Sequence, residues 1–145
     1  MKVSPISHPD APFRHRIRVR YSEIDSQSHV YNGRYLDYVD VAVTEYLRKL
    51  GFLFGPGSDA PEFHVVKATV DYKSPIVVDE EIDLSVRPVR IGRTSWTVLV
   101  EFRGAVNGDL RATAEVIFVT IRRGKKSSVP QAIRAAFEGS EARTS

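Results

Sequence analysis

The chain has 145 residues, 42% hydrophobic and 27% charged, which suits one globular domain with a real core. It has no cysteine, which excludes disulfides, thiolate metal sites and cysteine nucleophiles, and no run of about 18 apolar residues that would span a membrane. A net charge of +3 is compatible with nucleic acid or a small anionic ligand, but solubility alone accounts for it better.

Residues 1–12 hold Pro5, Pro9 and Pro12 with no periodic pattern and read as a loose arm. Met1-Lys-Val-Ser-Pro is not followed by the apolar stretch of a secretory signal, so a cytoplasmic protein is expected. From Arg14 the period is two: Arg14, Arg16, Arg18 and Arg20 alternate with His15, Ile17, Val19 and Tyr21. That predicts a strand with the arginines on its wet face.

The segment from Tyr21 to Tyr35 follows, and a helix is predicted from Asn32. Asn32 is placed as its N-cap, because an Asn side chain can accept from a free backbone N–H one turn on. Leu36, Val39, Val43, Tyr46, Leu47 and Leu50 recur at helical spacing; Asp37 and Asp40 lie early, Arg48 and Lys49 late, and Gly51 ends the run. Asp25 thus stands a few residues before a helix start, with His29 between. The N-terminus of a helix offers unpaired N–H groups and partial positive charge. A carboxylate, a histidine and the amides of Asn32 and Gly33 gathered at one point are suited to attack on a carbonyl or ester carbon. Asn32 can instead be simply the cap, His29 a structural hydrogen bonder, and Asp25 an ordinary loop residue.

Residues 54–61, rich in Gly and Pro, read as a loop. Strands are predicted near Phe63–Tyr72, Glu81–Val89, Ser95–Arg103 and Leu110–Arg122, with tight connections at Ile91-Gly92-Arg93 and Asn107-Gly108. Residues 130–138 suggest a short helix and 139–145 a disordered tail. One strand, one long helix and four sequential strands make an α+β domain over residues 13–138, the helix covering one sheet face. The uncovered face and edges predict self-association.

The remaining candidates are weaker. Tyr31, Tyr35, Tyr38 and Trp96 could line an acyl or aryl pocket, although aromatic side chains at helical spacing usually fill a core. Arg122, Arg123, Lys125 and Lys126 read as a solvated basic cluster. His8, His15 and His64 have no metal-ligand spacing, so no metal is implied. Neither a Gly-rich phosphate loop nor a Gly-x-Ser-x-Gly elbow is present.

Three stretches in the right order resemble the hotdog-fold 4-hydroxybenzoyl-CoA thioesterase-like family: Val19–Leu36 with Asp25, His29-Val30-Tyr31-Asn32 and Tyr35; Val66–Pro75; and Val89–Trp96. The resemblance spans about residues 13–122. It implies an antiparallel sheet of about five strands wrapped around one long helix. It also implies acyl-CoA thioester cleavage without a cofactor, at the interface of a homodimer that pairs into a homotetramer, with neither nucleic acid nor membrane as partner. It puts the catalytic carboxylate on Asp25, acting as nucleophile or general base, the oxyanion amides on Asn32 and Gly33, and assistance on His29. It puts CoA contacts on Arg90, Arg93, Thr94 and Ser95, which can instead be a solvated turn, and Tyr31 and Tyr35 are the aromatic candidates for substrate contact. The segment is also similar to plant acyl-ACP thioesterases, but Gln27 replaces an Asn there and Ser74-Pro75-Ile76 stands where those enzymes carry Glu-Cys. Rival activities on this fold are enoyl-thioester hydration or dehydration, and acyl-CoA binding without turnover.

Overall fold

The computed structural model describes residues 13–139 and the backbone of 143–144. The arm assigned to residues 1–12, and residues 140–142 and 145 of the predicted tail, lie outside the described residues. Strand β1 (Phe13–Arg18) is followed by a long helix, α1 (Tyr35–Lys49). Four strands come next: β2 (Glu62–Tyr72), β3 (Glu81–Ile91), β4 (Ser95–Gly104) and β5 (Leu110–Arg122). The chain ends with β6 (Lys125–Lys126), α2 (Gln131–Gly139) and β7 (Arg143–Thr144).

Among the described residues the main sheet runs β1-β3-β4-β5-β2, every pair antiparallel. Strand β6 adds to β5, and β7 lies parallel to the end of β3. This is the hotdog fold, a curled antiparallel sheet around one long helix. In β4, alternate residues Trp96, Val98, Val100 and Phe102 are fully buried, and Phe102 meets Tyr35 and Tyr38 of α1. The buried stripe of α1, including Val39, Ala42, Val43 and Leu47, completes this core. Helix α2 brings Phe137 against Trp96 at the far end.

Three local expectations change. Strand β1 stops at Arg18, not Tyr21: Tyr21–Glu23 turns as a 3₁₀ segment and Tyr21 is exposed. Helical structure does begin at Asn32, but as a 3₁₀ turn (Asn32–Arg34) leading into α1, and the Asn32 side chain makes no capping bond. The tighter turn consumes the carbonyls of Tyr31 and Asn32 at once, through the N–H groups of Arg34 and Tyr35. At Asn107-Gly108, left-handed backbone occurs at Gly108 alone (φ 72°). The link is longer than a two-residue hairpin: Gly104 N–H donates to Asp109 O and Gly108 N–H to Gly104 O. The C-terminus of α1 matches expectation: Gly51 is left-handed, its N–H bonds Arg48 O, and Phe52 N–H bonds Leu47 O, the paired bonds of a Schellman closure.

Strand β2 is an edge strand, paired with β5 alone among the described strands. A bulge between Val65 and Lys67 leaves Val65 and Val66 exposed.

Candidate functional site

Asp25 begins a tight hairpin. Ile24 bridges to Val30, Asp25 N–H donates to His29 O at 2.8 Å, and Ser28 N–H donates to Asp25 O at 3.0 Å. Ser28 takes up the left-handed conformation (φ 63°) that a three-residue hairpin loop needs at that place. A non-glycine residue held there is a local strain of the kind that collects at functional sites.

The carboxylate does two things. Its Oδ1 accepts from the N–H of Gln27 (2.9 Å) and of His29 (3.3 Å), which fixes the side chain to its own turn. Its Oδ2 has no hydrogen-bond partner among the described residues and stands on an exposed residue. The backbone of His29, rather than its ring, meets Asp25; the ring is half-buried and makes no bond to the carboxylate.

The hairpin's outgoing arm runs into the helix. At most about 10 Å of chain separates His29 from Asn32. The N–H groups of Asn32 and Gly33 have no partner among the described residues, as first-turn donors. The Tyr31 ring lies over Gly33, where a Cβ would stand 2.6 Å from Tyr31 Cε2. Gly33 therefore admits an aromatic ring against bare backbone beside two free donors. The Tyr72 hydroxyl donates to Asn32 O at 3.3 Å and its ring meets Tyr35 edge-on. Tyr35 is only 3% exposed and belongs to the core; burial, then the nearby Tyr72 hydroxyl, raises its phenol above the ordinary range.

Two anchors hold the hairpin. On the incoming arm, Glu23 Oε1 accepts from the Tyr38 hydroxyl at 2.7 Å, tying the arm to α1. Burial and that bond raise the Tyr38 phenol well above its ordinary range. On the outgoing arm, Val30 N–H donates to Ile76 O and Val78 N–H to Ser28 O. The 75–80 loop is in turn held by Arg111, which forks onto Glu80 and reaches Pro75 O at 2.8 Å. Sequence reasoning did not single out Arg111 or Glu80, and placed Tyr72 only in the Val66–Pro75 stretch without a role in the site. Partners 31 residues apart leave no local spacing to read.

Arg90, Arg93, Thr94 and Ser95 lie elsewhere. Ser95 pairs with Val119 and Phe102 with Ala112, so the β3–β4 turn and the Asp25 hairpin occupy opposite ends of the sheet, roughly 24 Å apart along β5. At the turn's end a cavity of about 540 Å³ opens between α1 and β2, lined by Val43 and Leu47, Phe54 and Pro61 of the loop, and Phe63 and His64. Among the described residues, no group of three or more His, Asp or Glu is placed to hold a metal. No helix there is long and apolar enough to cross a membrane.

Residues 19–137 match the family model of the thioesterase-like superfamily. The chain belongs to that superfamily. The chain is also similar to the acyl-CoA thioesterase YbgC of Haemophilus influenzae, 30% identical over 134 residues, which cover 88% of this chain and 96% of that one. A thioesterase of Thermus thermophilus, solved in complex with coenzyme A and zinc, is 28% identical with a TM-score of 0.73, over 88% of this chain and 92% of that one. The 1,4-dihydroxy-2-naphthoyl-CoA thioesterase Slr0204 of Synechocystis shares the fold at 18% identity and a TM-score of 0.77, over 88% and 96% of the two chains. The superfamily match spans both the Asp25 hairpin and the Arg93 turn.

Proposed function

We propose that this thioester hydrolase acts on acyl-CoA, releasing a free acid and CoA. The observation that carries the reading is the divided Asp25 carboxylate: one oxygen is tied to backbone N–H groups, the other is unbonded. It stands on the hairpin that feeds the free Asn32 and Gly33 amides, in a chain of the thioesterase-like superfamily. The thioester carbonyl oxygen accepts from those amides, where one well-placed donor is worth about 10²–10³ in rate. Asp25 Oδ2 either attacks the carbonyl carbon, giving an acyl-aspartyl anhydride that water then opens, or takes a proton from an attacking water. The leaving CoA thiolate is protonated, with His29 assisting. Tyr31 flanks the substrate, the chain's own residues suffice without a cofactor, and the cytoplasm is the compartment.

The chain acts as a homodimer, with a homotetramer built from it. The support is the edge of β2, unpaired among the described residues, and the separation of the two halves of the site. Antiparallel pairing of two β2 edges about a two-fold axis sets the Tyr72 end of one copy beside the Glu62 end of the other. Asp25 then faces the partner copy's cavity and its Arg93 turn, where guanidinium groups suit CoA phosphates. Tyr35 supports this surface from within the core.

The test is thiol release from a panel of short, long, branched and aryl CoA thioesters, run beside an enoyl-CoA absorbance assay. Turnover in the thiol assay alone supports the reading. Enoyl hydration without thiol release, or tight CoA binding with no turnover, overturns it.

A further inference from the structure

Arg111 is the best-connected side chain near the site, yet it is remote from it in sequence. Its side chain is 12% exposed. Nε donates to Asp109 Oδ2 at 2.6 Å. Nη1 donates to Glu80 Oε1 at 2.9 Å and to Pro75 O at 2.8 Å, and Nη2 completes the fork on Glu80 Oε2. Its carbonyl accepts from the N–H groups of Lys73 and Ser74. Glu80 passes the connection on, because Oε1 also accepts from Val77 N–H at 3.1 Å. Val77 bridges to His29, and its neighbours Ile76 and Val78 bond Val30 and Ser28. An unbroken run of bonds therefore joins a β5 arginine to the turn that carries Asp25. Gly104 is shaped to this arrangement: a Cβ there would stand 2.8 Å from Arg111 Nη2 and 2.6 Å from Asp109 Oδ1.

We propose that Arg111, through Glu80, is the positioning residue of the site: it sets the 75–80 loop and so the placement of Asp25. The inference rests on the reading of Asp25 as the reacting carboxylate. A largely buried ion pair is a poor source of net stability, since desolvation cancels much of its attraction. What the fork supplies is geometry, fixing three backbone segments at once. That matters at a reacting group, where a misplacement of about 1 Å can cost about 10²-fold in rate.

The test compares Arg111→Met, Arg111→Lys, Glu80→Gln and Gly104→Ala, with Arg16→Met as control. Arg16 makes a similar fork on Asp83, but between β1 and β3 and with its own side chain exposed. The expected result for Arg111→Met is a fall in kcat of about 10- to 100-fold on the best CoA thioester, with KM within about threefold. Arg111→Lys recovers part of the loss. Gly104→Ala lowers kcat while every charge is kept. Hydrogen exchange, read independently of turnover, quickens at Gln27, His29 and Val30 and holds steady along β4, whereas the control moves neither measurement. Unchanged kcat in both Arg111→Met and Glu80→Gln, or exchange that quickens equally in hairpin and β4, overturns the proposal. If Arg111→Met does not fold, Glu80→Gln decides by the same two readings. Failure of the wild type on the thioester panel overturns the proposed activity, while the exchange measurement still reports on the clamp.

Discussion

The two ends of the sheet are held together by different physics. At the Asp25 end, hydrogen bonds and charges dominate: a strained hairpin, a left-handed Asp79 and the Arg111–Glu80 fork. At the Trp96 end, packing dominates. Trp96 stacks on Phe118 at 4.6 Å and meets Phe63 and Phe137 edge-on, and Phe63 in turn meets Phe52. This aromatic cluster even buries the Trp96 N–H and Thr120 hydroxyl without partners among the described residues. Apolar packing is non-directional and strong in sum; hydrogen-bonded turns are specific and contribute little net stability. The Trp96 end therefore supplies most of the stability, and the Asp25 end supplies the placement of the reacting carboxylate.

Substitutions can separate these roles. The largest effect is expected at Asp25. Asp25→Asn keeps an Oδ1 acceptor for Gln27 and His29 while removing the carboxylate, so turnover should fall by about 10²–10⁴ with little change in the melting curve. Near-wild-type kcat on the best thioester would break the contrast at its functional pole. Trp96→Ala should do the reverse, costing about 3–5 kcal/mol of stability by chemical denaturation while kcat per folded molecule holds. Ser28→Val forces a β-branched residue into left-handed backbone and should cost about 1–3 kcal/mol, together with a loss of kcat that Trp96→Ala does not show.

The smallest effect is in the pH dependence of melting. Arg111 donates to Glu80 and holds its carboxyl below the ordinary 4.5. A carboxylate depressed in the folded state adds stability above the ordinary value and loses it as pH falls through the lowered one. On acidification below about 4.5, wild-type melting temperature should drop more steeply than that of Glu80→Gln. Parallel curves would show that the pair contributes no linkage.

The apolar end and the regular elements were legible in the sequence because their signals are periodic. Alternation from Arg14 marked β1, and the spacing from Leu36 to Leu50, with Gly51 after it, marked α1. Asp25 was legible through its setting before a helix. The means by which it is held was not. Asn32 looks like a cap because residue type cannot distinguish a capped α-turn from a tighter 3₁₀ entry. Tyr31 and Tyr35 look alike on paper, yet one ring lies on the surface over Gly33 and the other is in the core. Arg111 and Glu80 belong to β5 and a loop that meet only after the sheet has closed, so no window of sequence contains their pairing.

The bare edge of β2 has a consequence for measurement. If each chain carries half of two sites, specific activity depends on protein concentration. Diluting the enzyme through its association range should make it lose activity per molecule, and excess of an inactive Asp25→Asn copy should restore the activity per wild-type chain, because each wild-type Asp25 then faces an intact partner cavity. For an enzyme of this kind, the concentration in the cuvette is a variable of the chemistry.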